Sequence, residues 1–162
     1  VSAITYDLSA VGAIKALKFD TKSSVSLCFA KMMYTSFINS EIDFDASFIT
    51  YVPMNKIKER QRGKNQAETL CRHLAWKLNL PIIPPPAIHA DNTVSQHSLN
   101  SHERWKNAEN IYIPTHDKVS GNIILVDDIM TTGATLEIMS QILLKAGAKS
   151  ILCLTSATTL KD

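Results

Sequence analysis

Paired cysteines are missing from this chain. Its three thiols, Cys28, Cys71 and Cys153, lie far apart with no CxxC unit, which excludes a zinc ribbon within it. Each sits in an apolar, regular-looking segment, so all three read as buried free thiols. Long apolar runs are also missing. None approaches the roughly 20 residues of a membrane-spanning helix, and no signal peptide is visible, so a cytoplasmic protein without a membrane partner is expected. Excess charge is small: 17 Lys and Arg against 15 Asp and Glu leave a net +2. Bulk electrostatics therefore give no attraction for nucleic acid or an anionic surface, and any basic site must be local. Internal repeats and low-complexity linkers are absent too. What is present is an ordinary globular composition, 45% hydrophobic and 20% charged in 162 residues, consistent with a single domain spanning 1–162. The first residue is Val1 rather than Met, which leaves room for residues upstream.

Residues 47–52 form an apolar strand pattern ended by Pro53, and 122–126 and 150–154 are two more. Helical spacing marks 10–17, 25–38, 65–78 and 136–146. In the last of these Leu136, Met139, Leu143 and Ala146 share a face, with Gly147 placed as its cap. Apolar strands alternating with helices predict an α/β fold, a mostly parallel sheet covered on both faces. The one break in composition runs from Pro81 to about Asn110: PIIPPP, then a polar stretch holding His89, His97 and His102. Irregular spacing without nearby cysteines argues against a metal site there, and a mobile loop is the better expectation. Pro84, Pro85 and Pro86 read as a stiff connector to it, and Trp105 as a packing residue.

Ligands of such sheets bind beyond the carboxyl ends of the strands. Two loops there carry unusual chemistry. After the strand at 122–126 comes DDIMTTGAT. Gly133 allows a tight turn, and the hydroxyls of Thr131, Thr132 and Thr135 join helix-start amides in an anion cradle suited to a phosphate monoester. Asp127 and Asp128 would repel that phosphate. They suit vicinal hydroxyls or a Mg²⁺ ion, and a sugar phosphate meets both demands. Two other readings stay open: Thr132 as a plain N-cap with solvated acids, or a metal-binding acid pair of phosphoacceptor type. The second expects further acids at other strand ends, and none is found.

After the strand at 47–52, Lys56, Lys58, Arg60, Arg62 and Lys64 recur at every second position. In an extended loop they would share one side, a strip suited to a polyphosphate. A solvated or nucleic-acid-binding patch is the alternative, although few aromatics are interleaved for base stacking.

The run of four apolar residues, two acids, two apolar residues and Thr-Thr-Gly-x-Thr resembles the phosphoribosyl-pyrophosphate motif of type I phosphoribosyltransferases. Arg60-Gln-Arg-Gly-Lys-Asn-Gln66 resembles the RxRGFNQ signature of the ComF family, with Lys64 in place of the usual aromatic. Thr93, Gln96, Leu99, Arg104 and Asn107 are similar to its TxxQxxLxxxxRxxN pattern, and Leu17-Lys-Phe19 to its LKY/LKF segment. The resemblance implies a type I phosphoribosyltransferase fold with a flexible hood loop over about 84–110. It implies Asp127 and Asp128 as catalytic acids holding the ribose hydroxyls. The 5′-phosphate falls to Thr131, Thr132, Gly133, Ala134 and Thr135, the pyrophosphate to Lys56, Lys58, Arg60 and Arg62, and the flexible-loop roles to Gln96 and Arg104. Arg104 is equally a partner for Glu103 or Glu109. Phosphoribosyl pyrophosphate with substrate-bound Mg²⁺, an unknown acceptor and a cytoplasmic glycosyltransferase activity follow from it. So do a link to DNA uptake in natural competence, with single-stranded DNA or competence helicase partners, and a possible homodimer. A non-catalytic, ligand-sensing regulator is the other function this family admits. Two departures stand out: the family's zinc ribbon is absent here or lies upstream of Val1, and the basic residues usual before TxxQ are replaced by His89-Ala-Asp-Asn92.

Overall fold

The computed structural model describes residues 1–6, 24–85, 87–90, 112–115 and 118–159. In chain order the elements are β1 (Ser2–Tyr6), α1 (Ser24–Ile38), β2 (Phe48–Tyr51), α2 (Lys56–Arg62), α3 (Gln66–Leu78), β3 (Ala87–His89), β4 (Tyr112–Pro114), β5 (Asn122–Met130), α4 (Ala134–Ala146) and β6 (Ser150–Thr159). Four strands form a parallel sheet in the order β1-β6-β5-β2. β3 and β4 make a separate antiparallel ribbon.

The sheet is covered twice, which is why its central strand is apolar in both directions. Ile124 and Val126 of β5 pack with Phe29 and Met33 of α1 and with Leu70 and Leu74 of α3. Ile123 and Leu125 pack on the other side with Leu136, Met139 and Leu143 of α4. Each fully buried side chain of this kind contributes about 1.5–3 kcal/mol. The outer edge of β2 is blunted by the proline-rich segment: Ile49 donates to the Pro81 carbonyl at 3.1 Å and accepts from the Ile83 amide at 3.0 Å. Prolines beyond it lack the amides needed to extend a sheet. The segment read as a connector is therefore also an edge cover.

Two features of the topology prepare a site. β2 leads into α3 on one face and β5 into α4 on the other, so the chain diverges between these neighbouring strands, where α/β proteins bind ligands. β2 also stops early. Its last residue, Tyr51, pairs with Val126, while β5 runs on beside β6 to Met130. Past Val126, β5 is paired along one edge only.

Several expectations need correction. The strand expected at 122–126 extends through both acids to Met130, and that expected at 150–154 continues to Thr159. The continuations carry polar residues, Asp127 and Asp128 on β5 and the buried Thr155 and Ser156 on β6, so an apolar run does not mark them. The helix expected from residue 136 starts at Ala134. The basic stretch is not an extended loop but the helix α2. Cys28 is exposed on α1; only Cys71 is buried, and Cys153 is half-buried. Burial pushes the Cys71 thiol up to about 12, which keeps it protonated and unreactive. The helix expected at 10–17, the Leu17-Lys-Phe19 segment, Gln96 and Arg104 lie outside the described residues. Among the described residues no helix is long and apolar enough to cross a membrane.

Gly147 closes α4 at φ 113°, and a Cβ there would sit 2.7 Å from the Val119 carbonyl oxygen. That oxygen belongs to backbone held in place by the Val119 amide's bond to the Ala146 carbonyl at 3.1 Å. Gly147→Ala is therefore expected to destabilise the fold by about 1–3 kcal/mol, read as a thermal midpoint lowered by roughly 3–10 °C.

Candidate functional site

The site begins with a break in the strand's alternation. Regular pleating would send the side chains of Asp127 and Asp128 to opposite faces. Both instead line one cavity of about 210 Å³ at the upper end of the sheet. Across the pair the face assignment slips by one residue. Ile129 joins Ile124 and Val126 on the α1/α3 side, and Met130 joins Ile123 and Leu125 on the α4 side. Each acid takes up the next amide: Asp127 Oδ1 accepts from Asp128 N at 2.8 Å and Asp128 Oδ1 from Ile129 N at 2.8 Å. From β6, Ser156 Oγ donates to the Asp128 carbonyl, and Thr159 Oγ1 to the Thr131 carbonyl at 3.3 Å.

The cavity is electrostatically uncomfortable for its acids. Burial, and then the charge of Asp128, push Asp127 well above the ordinary carboxylate range. A group that donates hydrogen bonds, or a cation, would relieve that cost.

Residues 131–135 wrap a small enclosed hollow of about 20 Å³ that Asp127 also borders. Gly133 sits in the left-handed region, φ 81°, as the N-cap of α4 and brings no side chain to the first-turn amides. Thr132 Oγ1 reaches only the Ala134 amide, at a long 3.4 Å. The reading of Thr132 as a plain N-cap therefore does not hold. A hollow at a helix start whose amides have so little side-chain capping offers donors that an anion could take. Tyr112 of β4 is buried and lines the acid cavity together with Thr135; burial, then the charge of Asp127, push its phenol up.

The opposite wall comes from α2. On a helix, positions two apart lie on opposite sides and positions four apart on the same side. The alternating cations thus divide into pairs. Lys58 and Arg62 line the acid cavity. Lys56 faces a neighbouring groove of about 730 Å³ between α2, Pro84, Pro85 and the β3–β4 ribbon. Arg60, its partner across one turn, lines neither. The single-sided strip is thus overturned: of its five cations, Lys58 and Arg62 line the acid cavity.

The motif around them has a structural logic. Asn55 Oδ1 accepts the amides of Ile57 and Lys58 at 2.9 and 3.2 Å, capping α2. Asn65 Oδ1 caps α3 through Ala67 N at 3.0 Å, while its Nδ2 donates to the Val52 carbonyl at 3.0 Å. Gln66, fully buried, receives Arg62 Nη1 at 3.5 Å. These contacts pin the basic helix to the end of β2. Asn55, Tyr112, Ser156 and Thr159 were not singled out from the sequence. Asn55 carries a signal that was there to be read, a capping Asn before a charged helical turn. The other three act through tertiary contacts with no local trace.

Residues 67–162, more than half of the chain, match the family described as "Phosphoribosyl transferase domain". The chain belongs to that family. It is 26% identical over 144 residues to Competence protein F of Haemophilus influenzae, covering 85% of this chain and 63% of that protein. It is 26% identical over 141 residues to DNA utilization protein YhgH of Escherichia coli, covering 85% and 62%. With Competence protein ComFC of Bacillus subtilis it shares 30% identity over 148 residues, covering 90% and 58%. The ComF resemblance read from the motif blocks is borne out by these relatives, and the chain spans less than two thirds of the length of each.

In this phosphoribosyl transferase domain the acid pair sets a testable balance. A carboxyl whose folded pKa is raised holds its proton more tightly folded than unfolded, so stability falls as pH climbs from the ordinary Asp range, about 3.9, through the raised value. Asp127→Asn removes that loss and keeps a side-chain oxygen for the Asp128 amide. The ligand-free variant should melt about 2–5 °C above wild type at neutral pH, the gain shrinking as the pH is lowered toward 4. Calorimetric melting across that range reads both.

Proposed function

We propose that this chain binds phosphoribosyl pyrophosphate and transfers its phosphoribosyl group to an acceptor. The observation that carries the reading is one cavity shared by the acid pair, Thr135 at the end of the threonine loop and two of the basic-helix cations. The 5′-phosphate would occupy the hollow at 131–135, taking helix-start amides and threonine hydroxyls as donors. Asp127 and Asp128 would accept from the ribose 2′ and 3′ hydroxyls, which supply the donors that the crowded carboxylates lack. Lys58 and Arg62 would take the pyrophosphate.

Mg²⁺ belongs to this reading as part of the substrate. Among the described residues no cluster of three or more His, Cys, Asp or Glu could hold a metal, so the ion fits by taking most of its oxygens from pyrophosphate, ribose and water. Bound there, it would neutralise charge on the departing pyrophosphate.

The chain's own residues do the rest. As the bond from the anomeric carbon to pyrophosphate breaks, its electron pair leaves with the pyrophosphate and positive charge spreads over the ribose ring. Lys58 and Arg62 stabilise the leaving oxygens, and fixed charges in a partly desolvated cavity do so without reorganising. The acids hold the ring while the acceptor nucleophile adds. A place in DNA uptake accords with the names Competence protein F and DNA utilization protein YhgH.

Calorimetric titration with phosphoribosyl pyrophosphate and Mg²⁺ tests the reading, and wild-type protein giving no binding heat would overturn it. Asp127→Asn and Asp128→Asn should each weaken binding by about tenfold or more. Lys58→Ala and Arg62→Ala should do likewise, whereas Arg60→Ala, on the other side of α2, should change it by less than about twofold.

A further inference from the structure

The slip in β5 has a counterpart on β6. Regular alternation puts residues three apart on opposite faces of a sheet. Val126 and Ile129 nevertheless share the α1/α3 face, and so do Leu154 and Ala157. Before the slip β6 alternates regularly, with Leu152 and Leu154 on that face and Ile151 and Cys153 on the α4 side. The register pairs Val126 with Leu154 and Ile129 with Ala157, so neither strand has gained a residue on the other, as a bulge would require. The two strands slip together, β5 across Asp127-Asp128 and β6 across Thr155-Ser156.

Both β6 residues are polar and buried, a placement that costs stability unless their hydroxyls are bonded. Thr155 Oγ1 shares a hydrogen bond with Ser2 Oγ of β1 at 2.5 Å. Ser156 Oγ turns the other way and donates to the Asp128 carbonyl. Of these two hydroxyls, Ser156's is the one that joins the polar pair of β6 to the acid pair of β5.

That carbonyl is half of a rigid unit. The Asp128 C=O and the Ile129 N–H belong to one planar peptide. Ser156 holds the oxygen, and Asp128 Oδ1 accepts from the amide at 2.8 Å. The plane cannot turn without breaking both bonds, so the serine fixes the donor on which the Asp128 carboxylate is anchored.

We propose that Ser156 is a positioning residue: by holding the Asp128 carbonyl it keeps both acids open to one cavity, so that two neighbouring hydroxyls of a sugar ring can be taken together. The inference rests on the phosphoribosyl-pyrophosphate reading above. Ser156 itself touches no ligand. Without its hydroxyl the peptide is free to turn, the Asp128 anchor is lost, and the side chains of β5 relax toward regular alternation, which sends the acids to opposite faces.

The test is calorimetric titration of wild type, Ser156→Ala and Thr155→Val with two probes, phosphoribosyl pyrophosphate with Mg²⁺ and pyrophosphate with Mg²⁺. Each variant loses one buried hydroxyl of β6, and melting curves set the titrations well below both midpoints. Ser156→Ala should bind phosphoribosyl pyrophosphate about tenfold more weakly than wild type, and pyrophosphate, held by Lys58 and Arg62, within about twofold of it. Thr155→Val should stay within about twofold of wild type for both probes, although its melting midpoint falls. It also keeps the comparison decisive should pyrophosphate alone bind too weakly to read. Wild-type affinity for phosphoribosyl pyrophosphate retained in Ser156→Ala would overturn the role of Ser156 and leave the ligand reading standing. So would an equal loss for both probes, or an equal loss in Thr155→Val, since general damage to the sheet explains either. Wild type with no affinity for phosphoribosyl pyrophosphate would overturn the ligand reading itself, and the inference with it.

Discussion

Adjacent carboxylates at the end of a buried strand repel each other and lose hydration at the same time, and both costs rise as the surroundings become less polar. Asp127 and Asp128 meet those costs by a local departure from regular structure. The alternation of β5 slips so that both side chains open into one cavity, and each takes up a backbone amide. Residual strain persists as the raised pKa of Asp127. A site that is uncomfortable when empty is suited to a ligand rich in hydroxyls, because the donors it brings are those the acids lack. Under the proposed reading, stability is given up here for affinity, a common exchange at functional sites.

The placement of cations follows from a second constraint, the early end of β2. Once that strand stops at Tyr51, the chain must turn over the top of the sheet. Asn55 and Asn65 cap the two helices that follow, and Asn65 also takes the Val52 carbonyl. The basic helix is thereby held at the margin of the acid cavity, with one face turned inward. Its alternating charges are sorted by helical geometry into those that meet the acids and those that do not. The RxRGxNQ block is thus as much a device for holding a helix as for supplying charge: Arg62 bonds Gln66, Gly63 ends the helix, and Asn65 fastens the turn to β2.

Much of this was legible in the order of residues. Continuous apolar runs at 47–52, 122–126 and 150–154 identified the parallel strands, because only a sheet covered on both faces needs them. The spacing of Leu70, Cys71, Leu74 and Leu78 identified α3, and Gly147 its neighbour's end. The turn at Gly133 was readable because a glycine among hydroxyls precedes a helical pattern. Misreadings arose where local pattern and tertiary role part company. Alternating charge suggests an extended segment, yet Asn55 and the packing above β2 make it a helix. Cys28 lies in an apolar stretch but on the outward side of α1. The short strands β3 and β4 carry no period of their own and exist because Ala87 and Tyr112 pack onto the α4 side of the sheet.

The sequence by itself determined the class of fold and the ends of the sheet where acids, hydroxyls and cations gather. Those are properties of residue type and local spacing, and short-range physics suffices for them. Only the tertiary structure decided which groups share a cavity. That Lys58 and Arg62 share a cavity with Asp127 while Arg60 does not, that Tyr112 and Thr135 line it together, and that His89 borders both cavity and groove all depend on where separate elements come to rest. Such contacts join residues distant along the chain, whose positions are set by packing of the whole core rather than by their neighbours in sequence.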